Sequence, residues 1–169
     1  GQYPPGSTFK LVNGLIALQE KIIDAKTVIS CNQGHYYSSK RFMKCHCEIG
    51  TINDLNKAVY NSCNTYFANI YKRTIEKFPS HKNGINNWRS HVKSFGFGTY
   101  LGYDHPIGRP GLIPDSNYYD RWYPNGGWRA ATTISNGIGQ GEILTTPIQL
   151  ANLTAIIANR GWYKTPHFV

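Results

Sequence analysis

Tyr3-Pro4-Pro5-Gly6 blocks any regular element running through it, and a helical stripe begins directly behind it. Proline fixes φ and lacks an amide hydrogen, and glycine weakens a helix, so these residues cannot sit in a helix interior. Leu11, Leu15, Ile16 and Leu18 then recur at helical spacing, with Ala17 between them. The chain is therefore driven through a sharp turn into a helix from Ser7 to about Glu20. The junction puts Ser7 and Lys10 on one helix face. A hydroxyl with an amine in reach is what an activated serine nucleophile needs. Free amide groups and the helix dipole at such a junction also favour developing negative charge. Taken alone, Ser-x-x-Lys is a frequent spacing, and its plainer meaning is an N-cap serine followed by a solvated lysine.

The remaining sequence reads as short elements around one core. A length of 169 residues with 40% hydrophobic and 16% charged residues fits a single domain. Thr27-Val28-Ile29-Ser30 reads as a strand, followed by a polar Gly/Tyr/Ser loop and a cysteine-rich turn. Thr51-Ile52-Asn53-Asp54 opens a short helix through Leu55, Ala58 and Val59, and a second helix runs from Ser62 to Ile75. Trp88 to Phe95 gives a short helix that ends at Gly96-Phe97-Gly98. Gly108 to Gly127 is loop-like and rich in proline and aromatics. Its Tyr118, Tyr119, Trp122, Tyr123 and Trp128 either line a cleft for an extended polymer or pack over a core. Thr146-Pro147 starts a helix that is apolar nearly all round, so it is expected to be buried, and Asn159-Arg160-Gly161 closes it. The abrupt start at Gly1, and a finish at Pro166-His167-Phe168-Val169 that reads as the start of a strand, suggest an internal segment of a longer protein.

The net charge is +9 and the pI about 9.4, but lysine and arginine are scattered and form no stripe. With no nucleic-acid motif present, nucleic acid is not expected as a partner. No run of about eighteen apolar residues exists, so no membrane helix lies within this stretch, and no signal peptide is visible.

Ser62-Cys63-Asn64 is the second informative element. A hydroxyl and a carboxamide two residues apart, at a loop-to-helix junction, could both project into a cleft beside Ser7. The plainer alternative is an N-cap at Ser62 and a surface asparagine. Together, Tyr-Pro-Pro-Gly-Ser-Thr-Phe-Lys (3–10) and Ser-Cys-Asn-Thr-Tyr-Phe (62–67) match the first two motifs of penicillin-binding enzymes. Ile138-Gly139-Gln140-Gly141-Glu142, Thr146-Pro147-Ile148-Gln149-Leu150-Ala151-Asn152, Gly96-Phe97-Gly98 and Tyr163-Lys164-Thr165-Pro166-His167 follow suit. On these motifs the chain resembles the transpeptidase domain of class B penicillin-binding proteins, most of all the elongation-specific penicillin-binding protein 2 group, over nearly all 169 residues.

The resemblance implies an α/β (α+β) fold of the serine β-lactamase and transpeptidase type: a mixed, mainly antiparallel sheet flanked by helices. Residues 1–169 would be its helix-rich central portion, incomplete at both ends and lacking part of the sheet. It implies Ser7 as the acylated nucleophile, Lys10 as its base, Ser62 as proton relay and Asn64 as a substrate ligand. The reaction would be peptidoglycan D,D-transpeptidation through an acyl-enzyme on D-Ala-D-Ala stem peptides, with β-lactams acylating the same serine. A β-lactam-sensing or scaffolding module, a β-lactamase or a D,D-carboxypeptidase shares these motifs. Lys10 must be neutral to accept a proton, which requires burial or nearby positive charge. The resemblance further implies the periplasmic face of the bacterial inner membrane, an anchor outside this chain, a SEDS-family glycosyltransferase partner and no organic cofactor. One departure is clear. Lys26-Thr27-Val28 and Lys164-Thr165-Pro166 both fail the family's third motif, Lys-Thr-Gly. The chain by itself is therefore expected to be inactive, the whole parent being the enzyme.

All four cysteines, Cys31, Cys45, Cys47 and Cys63, fall in one window. They suit a closed tetrahedral Zn²⁺ site, two disulfides joining Cys31 and Cys63 to Cys45 and Cys47, or free thiols. Cys45-His46-Cys47 makes His46 a reserve ligand. Some relatives in the resembled group carry zinc beside the Ser-x-Asn motif on Asp, His and Cys residues, which places these cysteines at that position.

Overall fold

The computed structural model describes residues 1–104 and 108–167. Behind Pro4-Pro5, one 3-10 turn over Gly6–Phe9 runs straight into α1 (Lys10–Gln19). Gly6 takes φ +62°, a conformation that disfavours side chains, and its amide donates to the Gly139 carbonyl at 2.8 Å. Gly139 approaches so closely that a Cβ there would lie 2.0 Å from the Gly6 oxygen. The expected helix is present, but Ser7 lies inside its 3-10 first turn. Pro5 takes the cap position with no side-chain bond, so Ser7 is not an N-cap.

Four short strands make two antiparallel pairs. β1 (Ile29–Cys31) pairs with β4 (Thr51–Asn53), and β2 (Gly34–Ser38) forms a hairpin with β3 (Arg41–Lys44). The first strand begins two residues later than expected. Thr51-Ile52-Asn53, expected to open a helix, is instead β4, with Ile52 opposite Ser30. The β-branched pair favours the extended ladder, and α2 (Leu55–Tyr60) starts only after Asp54, whose carboxylate accepts from the Lys57 amide.

The central helix is α3 (Asn64–Glu76), buried on several sides from Thr65 to Ile75. It packs against α1, α4 (His81–Ser94), β1, the β2–β3 hairpin and a 3-10 segment over Ile134–Ile138. Its cap is Cys63 rather than Ser62: Cys63 Sγ accepts from the Tyr66 amide at 3.4 Å. The helix expected over Trp88–Phe95 starts earlier, at His81, where Ser80 caps the Asn83 amide. Its polar first half carries no apolar stripe to betray it. The expected loop from Gly108 to Gly127 contains α5 (Ser116–Trp122), capped by Asp115 on the Tyr118 amide. Trp88, Phe9, Tyr71 and Phe97 form an edge-to-face aromatic core, with Phe9 and Phe97 centroids 5.5 Å apart.

α6 (Pro147–Ala158) opens on a capping box between Thr146 and Gln149, with Pro147 in its first turn. It is not buried all round: Gln149, Asn152, Leu153 and Ile156 are buried, while Ile157 is 43% exposed. Its apolar composition thus exceeds what it covers. Two buried amides do the fastening. Gln149 Nε2 donates to the carbonyls of Thr99 (3.0 Å), Pro110 (2.9 Å) and Gly96 (3.3 Å), and Asn152 Nδ2 donates to Phe95 O. The helix closes with Arg160 at φ +60° and the Gly161 amide on the Ile156 carbonyl, as the terminal glycine suggested. Residues 162–167 form no strand, and Phe168 and Val169, part of the expected strand start, lie outside the described residues. The result is a helix-rich mixed α/β fold with small antiparallel sheets. No helix among the described residues is long and apolar enough to cross a membrane.

Candidate active site

The start of α1 and the α2–α3 junction meet at one cluster. Lys10 is 3% exposed and donates three hydrogen bonds: to Ser62 Oγ (2.8 Å), Asn64 Oδ1 (2.7 Å) and the Ser62 carbonyl (2.7 Å). Ser62 Oγ in turn donates to Ser7 Oγ at 3.0 Å. The four residues singled out from the sequence therefore share one hydrogen-bonded chain, in the order Ser7, Ser62, Lys10, Asn64. The direct Ser7–Lys10 contact suggested by helical spacing is replaced by a bridge through Ser62. Ser7 is exposed and Lys10 buried beneath it, so the Ser7 hydroxyl faces solvent while the amine does not.

Local geometry explains the convergence. Ser62 sits at φ +47°, in a tight turn whose amides bond back to Val59 and Ala58. A non-glycine residue in this region stores backbone strain, and the turn aims its hydroxyl at Ser7. Asn64 is held from the other side: its Nδ2 donates to the Lys44 carbonyl of β3 at 2.9 Å, and its amide donates to Cys45 Sγ at 3.2 Å. Burial pushes Lys10 below the ordinary lysine range, partly opposed by the neighbouring thiols of Cys45, Cys63 and Cys47. Of the two causes the chemistry allowed, burial operates and positive neighbours do not.

A buried asparagine one turn after Lys10 joins this helix to the rest of the core. Asn13 Nδ2 donates to the carbonyls of Asn136 and Gly137, each at 3.0 Å, and Asn13 Oδ1 accepts from Trp88 Nε1 at 2.8 Å. The sequence offered a hint that went unread, a polar residue on the buried side of an apolar helix.

The four cysteines are free and buried, with their sulfurs within 4.8 Å of one another. Cys45 and Cys47 Sγ are 3.5 Å apart, and Cys45 and Cys63 Sγ 3.8 Å apart. A disulfide needs about 2.05 Å, so neither of these pairs is at bonding distance, and all four thiols are free. Four sulfurs at about 2.3 Å from one ion would sit about 3.8 Å from each other, and the cluster fits that shape. Its polar shell also fits thiolate ligands. Cys63 Sγ accepts from Asn53 Nδ2 as well as the Tyr66 amide, and Cys31 bonds to Thr65 Oγ1 at 3.1 Å. Burial would raise Cys45, but hydrogen bonds from the Cys47 and Thr65 backbone and from neighbouring thiols bring it down to about 6. Burial pushes Cys47 up to about 11 and raises Cys63 further. His46 is exposed and stands outside the four-sulfur set. Sequence reading missed Asn53, Thr65 and the Lys44 carbonyl, which carry no motif of their own.

Comparison with known proteins identifies the family and the fold. The peptidoglycan D,D-transpeptidase MrdA of Acinetobacter baumannii is 35% identical over 170 residues, covering 99% of this chain and 24% of that protein. The chain thus spans about a quarter of the length of the curated relatives it matches. The crystal structure of Pseudomonas aeruginosa PBP2 in complex with WCK 5153 superposes with a TM-score of 0.83 at 29% identity, over 99% of this chain and 36% of that one. Helicobacter pylori PBP2, in its complex with MreC, gives 0.84 at 29% identity over 100% of this chain and 30% of that one. The penicillin binding protein transpeptidase domain matches residues 1–169 from end to end, and the chain belongs to that family.

Proposed function

We propose that this chain is part of the transpeptidase domain of a peptidoglycan D,D-transpeptidase, acting in cell-wall synthesis and cell shape. The observation that carries the reading is the continuous chain from Ser7 Oγ through Ser62 Oγ to Lys10 Nζ, with steps of 3.0 and 2.8 Å. When Lys10 is neutral, the Ser7 proton passes to Ser62 Oγ as the Ser62 proton passes to Lys10. Ser7 Oγ then attacks the carbonyl carbon of the penultimate D-Ala of a stem peptide. The C–N bond breaks, and the terminal D-Ala leaves with the proton returned along the same path. An amine of a neighbouring strand then takes the acyl group from Ser7. Asn64, whose carboxamide is fixed by Lys10 and the Lys44 carbonyl, is positioned to bond the substrate amide.

The four thiols are read as a structural Zn²⁺ site held by Cys31, Cys45, Cys47 and Cys63. Bound there, the ion would neutralise thiolate charge and tie the four sulfurs together. Because Cys63 lies between Ser62 and Asn64, and Cys45 accepts from the Asn64 amide, the cluster would fix both site residues. The parent protein is placed at the periplasmic face of the inner membrane through an anchor outside these residues, with a SEDS-family glycosyltransferase as partner. The MreC complex of the Helicobacter pylori relative supports a role in a larger wall-building assembly.

The test is labelled penicillin, and separately a D-Ala-D-Ala stem peptide with an acceptor amine, given to the full-length protein and to its Ser7→Ala form. Stable labelling and crosslinked product, both lost in Ser7→Ala, are expected. Rapid release of label, or labelling without peptide turnover, would refute transpeptidation.

A further inference from the structure

Ser62, the middle hydroxyl of the Ser7 chain, stands at a backbone position that side chains disfavour. α2 ends in a Schellman turn: the Cys63 amide donates to the Ala58 carbonyl at 2.9 Å, and the Ser62 amide to the Val59 carbonyl at 3.1 Å. The left-handed point of such a turn is usually glycine, and here it is Ser62 at φ +47°. Glycine cannot serve, because the cluster needs a hydroxyl at that point. The conformation must therefore be held against a local preference for another one.

One buried side chain grips both neighbours of Ser62. Asn53 ends β4, opposite Ile29 of β1, and is fully buried. Its Oδ1 accepts from Asn61 Nδ2 at 2.9 Å, and its Nδ2 donates to Cys63 Sγ at 3.6 Å. The carboxamide thus ties residues 61 and 63 to the sheet while bonding to none of Ser7, Lys10, Ser62 and Asn64 among the described residues. What it restrains is the swing of the turn that would carry Ser62 Oγ away from its partners. Ser62 Oγ stands 3.0 Å from Ser7 Oγ and 2.8 Å from Lys10 Nζ. A displacement of about 1 Å takes either step out of hydrogen-bond range.

We propose that Asn53 is a positioning residue for acyl transfer, acting through Ser62 by clamping the turn on both of its sides. The assignment rests on the acyl-transfer reading above, in which Ser62 relays the proton. The test is two-step penicillin acylation of the full-length protein, resolving the initial binding constant, the acylation rate constant and the final labelled fraction. Asn53→Ala should slow acylation about tenfold, with initial binding and labelled fraction unchanged. In a Ser62→Ala background, where no hydroxyl is left to aim, Asn53→Ala should slow it no further. Asn61→Ala removes one half of the clamp at a partly exposed position and touches no thiol. It should slow acylation about threefold, and it carries the test if Asn53→Ala does not fold. A lower labelled fraction at an unchanged rate constant would show a merely structural role and overturn the assignment. So would an equal slowing by Asn53→Ala with and without the Ser62 hydroxyl, or an unaltered rate in Asn61→Ala. Absence of labelling in the unaltered protein would instead refute acyl transfer itself, and the positioning role with it.

Discussion

Removing the Glu20 charge should weaken the fold by an amount that depends on pH in one direction only. Glu20 stands at the end of α1 and accepts from Lys77 Nζ at 2.6 Å, Asn87 Nδ2 at 2.8 Å and His91 Nε2 at 2.6 Å, tying α1 to α3 and α4. The Lys77 hydrogen bond, then those of His91 and Asn87, hold its carboxyl at about 2 against an ordinary 4.5. A shift of this size corresponds to at most about 3.4 kcal/mol. Lys77 is 43% exposed and screened by solvent, so about 1.5 kcal/mol is a fair expectation. The sign follows from a depressed acid: the stabilisation is whole above pH ~5 and lost as pH falls through about 2. Urea unfolding of the native chain and of Glu20→Gln, each at several pH values, measures the difference. It should be about 1.5 kcal/mol at pH 6 to 7 and shrink toward zero near pH 2, where the native carboxyl is protonated and resembles the amide. A difference that stays constant from pH 6 to pH 2.5 would refute the argument that this charge is what the three donors hold.

Burial of Lys10 predicts an acylation rate that rises with pH about a midpoint below the ordinary lysine value of 10.5, and Lys10→Arg, which cannot lose its proton, should abolish labelling. Ser62→Ala should slow acylation more than about 10²-fold with little change in fold stability. Ser62→Gly should be as slow yet about 1 kcal/mol more stable than the alanine form, because φ +47° suits glycine; equal melting of the two variants would contradict that. Asn13→Ala should cost about 3 kcal/mol by stranding Trp88 Nε1 and two carbonyls, and the cost should be about 1 kcal/mol smaller in a Trp88→Phe background, as read from a double-mutant cycle. Chelation of metal should lower the melting temperature and make Cys31, Cys45, Cys47 and Cys63 reactive to a thiol reagent; thiols that react equally with and without chelator would argue against a shared ion.

Much of the frame was visible in the residues because it rests on strong local signals. Pro4-Pro5-Gly6, Thr146-Pro147 and Arg160-Gly161 mark turns and helix ends by backbone chemistry that needs no tertiary context. The four residues Ser7, Lys10, Ser62 and Asn64 could be picked out, and the structure does bring them together. What could not be read was who bonds whom. Lys10 turns from its neighbour Ser7 toward groups 52 and 54 residues away, a choice made by packing. β4 was mistaken for a helix because its partner β1 lies about twenty residues upstream, and α5 was missed because a seven-residue helix gives too few turns to show a period. The partial exposure of α6 was invisible for a different reason: composition says what a surface could bury, and only the neighbours decide what it does bury.

The turn that carries Ser7 is pinned twice on its N-terminal side, by Tyr3 pairing with Thr145 and by the Gly6 amide on Gly139. Both clamps join the beginning of the chain to a part made more than a hundred residues later. Contacts so distant along the chain form late and slowly, and a ribosome working at about 5–20 residues per second needs on the order of ten to thirty seconds to supply them. During that interval the turn that carries Ser7 lacks both of these clamps. Its final hold thus depends on residues made well after it.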